Sequence, residues 1–257
     1  MRFNHLIVEI QDKIAWISIN RPKKLNALNR EVLEELNTLF VALNNDAAVR
    51  IIILTGSGDK AFIAGADIAE FATFDAVEGE ALSRKGQQTV FDQIAETNKP
   101  VIAAINGFAL GGGLELALSC HVRIASSNAK MGLPETSLGV IPGYGGTQRL
   151  PQIIGRGRAT ELIITGRMMN ADEALQTGLV TQVVPQEELL STAARLAEKI
   201  MNNSPHAIAQ GLGAIASGYV DGLNGYEEEI KRFGACFGHP EFKEGTHAFL
   251  AKRKANF

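Results

Sequence analysis

Three consecutive glycines, Gly111-Gly112-Gly113, stand two residues ahead of a lone carboxylate, Glu115, in the otherwise apolar run Leu114-Glu115-Leu116-Ala117-Leu118. Without Cβ atoms, such a backbone can approach a ligand closely. If a helix begins here, its first amides point outward and carry partial positive charge. They suit a phosphate or, equally, an oxygen that becomes negative during a reaction. The competing reading is a close strand–helix crossing that needs glycine for packing alone. Glu115 favours the chemical reading. In a helical 114–120 it shares a face with Ser119, and the other residues of that turn are small or apolar, so the carboxylate lies near the interior. Burial raises a carboxyl pKa and is costly unless the group is paired or used, and such groups are enriched at functional sites. The alternation of Leu114, Leu116 and Leu118 also fits a strand; the preceding glycines favour a helix.

Two other glycine-bearing stretches compete for a role. Gly56-Ser57-Gly58-Asp59-Lys60-Ala61 imitates a dinucleotide fingerprint, but the chain runs on through Phe62-Ile63-Ala64-Gly65 where that motif needs a helix to start. These glycines are read as turn glycines. The second stretch is Ala64-Gly65-Ala66-Asp67-Ile68. A second carboxylate, Glu135, follows Pro134 in a turn-like stretch and by itself reads as a surface acid. Two carboxylates in different environments can divide acid and base roles, but nothing in the spacing brings these two together.

The elements that must position these residues follow from periodicity. Residues 5–20 read as a hairpin about Gln11-Asp12-Lys13, closed by Pro22. Val32, Leu33, Leu36, Leu39, Phe40 and Leu43 form one helical stripe. The runs 51–54, 101–105 and 122–125 read as buried strands, and strands separated by helical segments suggest βα units whose strand ends can build a site. Strands stop at about residue 186. Beyond it, Leu189, Leu190, Ala193, Leu196, Ala197, Ile200 and Met201 repeat a helical stripe, with further helices at 205–219, 223–237 and 241–253. The expected organisation is therefore an α/β core over 1–185 and a helical region over 186–257, whose apolar faces suit a neighbouring subunit as well as the core.

Composition narrows the class. The 257 residues allow one large domain or one with an appendage, and 25 Lys plus Arg against 28 Asp plus Glu leave a net charge of −3. That balance, with no long basic run, argues against nucleic acid or an anionic membrane surface as partner. Cys120 and Cys236 are too far apart for a metal pair, and five scattered histidines show no metal spacing, so no metal is expected. A soluble, cytoplasmic protein is expected. Glycine is enriched, 26 of 257 residues, about 10% where ~7% is usual.

Four motifs in order then carry a resemblance across essentially the whole chain. They are Ala64–Ile68, Asn106-Gly-Phe-Ala-Leu-Gly-Gly-Gly-Leu-Glu-Leu-Ala117, Pro134-Glu135 with Leu138-Gly139, and Ile141-Pro-Gly-Tyr-Gly-Gly-Thr-Gln-Arg-Leu150. Together they resemble the crotonase superfamily, with the enoyl-CoA hydratases as the nearest branch. The resemblance implies a spiral of ββα units with a C-terminal helical region that drives trimers, often paired into hexamers, and forms a lid over the active site. It implies an acyl-CoA substrate with no separate cofactor, because CoA is part of the substrate. The amides of Ala66 and Gly112 would bind the thioester oxygen. Glu115 would activate water and Glu135 would supply a proton, and retention of both acids favours hydration over other reactions of the superfamily. Ala64, Gly65, Asp67, Ile68, Gly111 and Gly113 would flank the substrate, with Asp67 mainly shaping the loop. Tyr144, where a smaller residue is also common, would shorten the acyl pocket. Lys252, in a basic cluster with Arg253 and Lys254, would reach CoA phosphates. His121 is read as a packed residue where the superfamily often has Asp.

Overall fold

The hairpin at the start of the chain has a two-residue turn. In the computed structural model, which describes residues 2–257, β1 (Leu6–Gln11) and β2 (Ile14–Ile19) pair antiparallel with Gln11 opposite Ile14. Asp12 and Lys13 both take positive φ, as a type I′ turn requires. Next comes α1 (Arg30–Asn45). Its N-cap Asn29 accepts a bond from the Val32 amide, and Val32, Leu36, Leu39, Phe40 and Leu43 are buried, as the stripe predicts.

A repeating unit then takes over. β3 (Ile51–Gly56) leads to β4 (Ala61–Ile63) and α2 (Ala76–Gly86), which continues through a π-helical stretch at Gln87–Phe91 into α3 (Asp92–Ala95). β5 (Val101–Ile105) leads to β6 (Phe108–Leu110) and α4 (Gly112–Ser119). β7 (Val122–Ser126) leads to β8 (Lys130–Gly132), a 3₁₀ turn at Pro134–Leu138 and α5 (Gly146–Ile154). The core closes with α6 (Arg156–Thr165), β9 (Met168–Asn170), α7 (Ala171–Thr177) and β10 (Gln182–Val184).

In each ββα unit the first strand joins a six-stranded sheet, ordered β1-β2-β3-β5-β7-β10, and the second joins a four-stranded sheet, ordered β4-β6-β8-β9. From β2 onward the large sheet is parallel. It is buried on both faces, which explains the unbroken apolar runs at 51–54 and 101–105. Ile52, Leu54, Val101, Ala103 and Ile105 face the main core, while Ile51, Ile53, Ile102 and Ala104 face the other way. That second face is covered by α8 (Leu189–Met201) through Leu189, Ala193 and Ala197. The last three helices are α9 (Pro205–Ser217), α10 (Gly225–Phe237) and α11 (Pro240–Leu250). Within this one chain they bury only Ser217 and Ala248. No helix of the described residues is long and apolar enough to cross a membrane.

The short strands of the small sheet were not legible in the sequence, and they are the ones that place the site. Gly56 also departs from the turn expected for it. It ends β3, and a Cβ on it would lie 2.2 Å from the Ala61 carbonyl oxygen and 2.3 Å from that of Phe62, so it is a close-packing residue. Gly58, at φ +80°, is the turn glycine.

Candidate active site

The residues 114–119 are helical, which settles the choice between strand and helix. Glu115 lies in the first turn of α4 and is 1% exposed. The three glycines before it differ in what requires them. Gly111 takes φ +49° and ψ −127°, a conformation that L side chains rarely adopt, and a Cβ on it would fall 2.8 Å from Oε1 of Glu135. Gly112 faces the side chains of Leu28 and Tyr144, each 3.4 Å from where its Cβ would be. Gly113 meets the packing requirement, since a Cβ there would be 2.1 Å from the Ile63 carbonyl oxygen of β4. The packing reading thus holds at Gly113, while Gly111 is required by its backbone conformation and Gly112 by neither.

The loop 64–68 is tied down by its neighbours. The Leu28 amide donates to the Gly65 carbonyl at 2.9 Å, the Asp67 amide to the Leu28 carbonyl at 2.7 Å, and the Ala64 amide to the Leu25 carbonyl at 3.0 Å. Gly65 makes the bend at φ +108°. Asp67 accepts from Arg21 Nη2 at 3.0 Å, and Arg21 Nη1 also donates to the Ala27 carbonyl at 2.5 Å, so Asp67 shapes the loop. Ile68 begins a short 3₁₀ turn and is exposed. The amides of Ala66 and Gly112 donate to no group among the described residues, and the same holds for those of Gly65, Ile68, Gly113 and Leu114 in the two segments. Unsatisfied amides at a bend and at a helix start are what an incoming anionic oxygen requires.

Glu135 is brought to Glu115 by the fold and not by sequence spacing. Pro134 starts the 3₁₀ turn that carries it, directly after β8, and β8 pairs with β6, the strand that feeds the glycine triplet. Its Oε2 is buried and has no hydrogen-bond partner. Burial raises its pKa. Burial also pushes the pKa of Glu115 up to about 7, with two amide hydrogen bonds opposing the shift and the charge of Glu135 adding to it. One carboxyl is thus held by fixed donors, and the other has a buried oxygen without one.

The first of these is held by backbone amides whose role the sequence did not show: that of Tyr144, singled out only for its side chain, and that of Gly146. The amides of Tyr144 and Gly146 donate to Oε1 of Glu115 at 2.7 and 2.8 Å. The only trace they left was the Pro142-Gly-Tyr-Gly-Gly146 loop itself, whose glycines read as a motif and not as a carboxylate cradle. The Tyr144 ring stacks on Phe91 at 4.6 Å between ring centres and lies against Gly86, where a Cβ would be 2.3 Å from Cε1. It walls an apolar cavity of about 630 Å³ together with Leu28, Leu33, Ala66, Phe71 and Leu82. Glu115 and Glu135 are not in that wall, although Glu34, Glu70 and Glu78 are; Leu28 and Tyr144, which line it, are the side chains nearest Gly112. Lys252 lies apart from this cluster, in the exposed turn after α11. His121 is a packed residue: its Nδ1 accepts from the Val101 amide at 3.0 Å, and burial pushes its pKa down to about 4.

Known proteins share this arrangement of chain. A family model described as enoyl-CoA hydratase/isomerase matches residues 9–257. The chain is 47% identical over 258 residues to a crotonyl-CoA hydratase of Syntrophomonas wolfei, covering 100% of this chain and 99% of that protein. It is 46% identical over 257 residues to a short-chain-enoyl-CoA hydratase of Clostridium acetobutylicum, covering 99% and 97%. Among solved structures, an enoyl-CoA hydratase from Bacillus anthracis superposes with a TM-score of 0.93 at 42% identity, covering 99% of each chain.

Proposed function

The chain belongs to the enoyl-CoA hydratase/isomerase family, and from that premise we propose that it adds water to a short trans-2-enoyl-CoA to give the 3-hydroxyacyl-CoA, within fatty-acid β-oxidation or a related acyl-CoA route. The observation that carries the reading is the pairing of Glu115 and Glu135 beside the free amide of Gly112. An enzyme that only shifts a double bond needs a single group to move one proton. Hydration needs one group to take a proton from water and another to deliver a proton to carbon.

The steps balance. Glu115, as carboxylate, removes a proton from water as the oxygen attacks C3. Electrons of the C2–C3 double bond move toward the thioester carbonyl, whose oxygen becomes negative and is met by the amides of Ala66 and Gly112. Donors fixed before the reaction need no reorganisation, and removing one from a comparable site costs roughly 3–4 kcal/mol. Glu135 then gives its proton to C2, and the two carboxyls re-equilibrate with solvent. Ala64, Gly65, Asp67 and Ile68 would shape the strand of backbone against which the thioester lies, with Gly111 and Gly113 giving close approach on the other side. Tyr144 would end the acyl pocket and favour short chains. Lys252 would meet a CoA phosphate, and the uncovered faces of α10 and α11 would be closed by assembly into trimers or pairs of trimers, where the helical region also acts as a lid. A cytoplasmic setting suits a CoA-dependent enzyme with two unpaired cysteines.

The test is loss of the conjugated enoyl-thioester absorbance of crotonyl-CoA. The unaltered chain is expected to turn over, and Glu115→Gln and Glu135→Gln each to lose about 10²-fold or more in kcat. Full activity in both variants contradicts the mechanism.

A further inference from the structure

The loop that holds Glu115 is glycine at three of its four positions, Gly143, Gly145 and Gly146, and glycine backbone does not hold a conformation by itself. Three side chains hold it instead. The carbonyl of Gly143 accepts from Ser83 Oγ at 2.6 Å and from Gln87 Nε2 at 2.8 Å. That carbonyl belongs to the same planar peptide unit as the Tyr144 amide, which donates to Glu115 from the opposite edge at 2.7 Å. Fixing the carbonyl therefore aims the amide, and two donors on the carbonyl polarise the unit and strengthen the bond that the amide makes. The next carbonyl, that of Tyr144, accepts from Arg149 Nη1 at 2.9 Å, while Arg149 Nη2 pairs with Asp92 at 2.6 Å. Gly145, at φ +95°, leaves the space for the guanidinium: a Cβ there would be 2.2 Å from Nη1.

We propose that Ser83, Gln87 and Arg149 are positioning residues for the Glu115 carboxylate, so that the segment forming the cavity wall also sets the proton affinity of the group that acts on water. The kinetic side of this rests on the hydratase reading; the positioning itself does not. Ser83 and Gln87 flank Lys85 and Gly86, which line the cavity, and Asp92 follows in the same run of chain. A ligand that displaces this wall would thus act on Glu115 through the Gly143–Tyr144 peptide unit, while Arg149 steadies the loop at the next carbonyl, between the two amides that meet Glu115. The charged and titratable groups facing Glu115 are Glu135 from the 3₁₀ turn, the Tyr144 phenol from the loop, and Arg149 from α5 with Asp92 behind it. Loss of the donors on either carbonyl weakens support for the charged carboxylate, so its pKa moves up.

The experiment titrates the glutamate carboxyls of the full-length, assembled protein by infrared spectroscopy with carbon-13-labelled glutamate. The difference from Glu115→Gln identifies the Glu115 band. In Ser83→Ala/Gln87→Met and in Arg149→Gln, the Glu115 pKa is expected to rise by roughly 0.5 unit or more, and Arg149→Lys is expected to return most of the shift. With crotonyl-CoA, kcat is expected to fall about tenfold or more while KM changes by less than about threefold. A Glu115 titration that is unmoved in variants retaining native circular dichroism and assembly overturns the proposal. Should the double variant fail to fold, Ser83→Ala and Gln87→Met separately remove one donor each and carry the same expectation at smaller size. A shifted titration in a protein that does not hydrate crotonyl-CoA upholds the positioning and removes the hydratase reading.

Discussion

At the scale of single residues, the two carboxyls differ in what surrounds them, and that difference sets a pH dependence. In the proposed role as base Glu115 must be ionised, and burial has pushed its pKa up to about 7. kcat/KM should therefore fall as pH drops through about 7, since below it the base carries its proton. Part of the rise comes from the neighbouring charge of Glu135. In the reactive form Glu135 holds its proton and that charge is absent, so in the residual activity of Glu135→Gln the acidic limb should stay near its original position. A pH–rate profile of the two proteins checks this; a limb displaced by about a unit or more means that Glu135 is ionised when Glu115 titrates and does not serve as the acid. The carboxylate at 115 was legible as inward-facing from its apolar turn. Glu135 was not legible as its partner from its own surroundings, because the contact runs through β6–β8 pairing, and the motif resemblance alone supplied it.

At the scale of elements, the glycine triplet is the joint between β6 and α4, and its parts should fail differently. Gly113→Ala places a methyl 2.1 Å from the Ile63 carbonyl oxygen, which as strand backbone cannot swing aside. Overpacking of this type costs roughly 1–3 kcal/mol and here should reach the upper end. Thermal unfolding should show a lowered Tm for this variant; an unchanged Tm would mean that α4 moves freely over β4. The long elements were legible for physical reasons. α1 has a 3.6-residue stripe, and the strands of the large sheet are apolar because both faces are covered. β4, β6, β8 and β9 are three residues each, too short for any period to emerge, and they had to be found in the structure. The cradle on Glu115 was hidden for a related reason, since it is made of backbone amides that any residue could supply.

At the scale of the whole molecule, the carboxy-terminal helices present apolar surface that a single chain leaves uncovered. α10 is a 13-residue helix that buries no residue in the single chain, and it exposes Tyr226, Ile230, Phe233 and Phe237. Phe249 and Leu250 of α11 are exposed as well. Apolar faces of this extent mark a site for a protein partner, and the proposed partner is a second copy. Sedimentation should give a multiple of the 27.6 kDa chain, and Phe233→Asp should dissociate it; a monomeric unaltered chain contradicts the assembly. The central claim, that Glu115 and Glu135 together add water across an enoyl thioester, is tested most directly by turnover of crotonyl-CoA in heavy-oxygen water with mass analysis of the product. The account predicts 3-hydroxybutyryl-CoA carrying one solvent oxygen at C3, formed by the unaltered chain and lost in both glutamine variants. A product with a relocated double bond and no solvent oxygen, or labelled product at an undiminished rate in both variants, would contradict it.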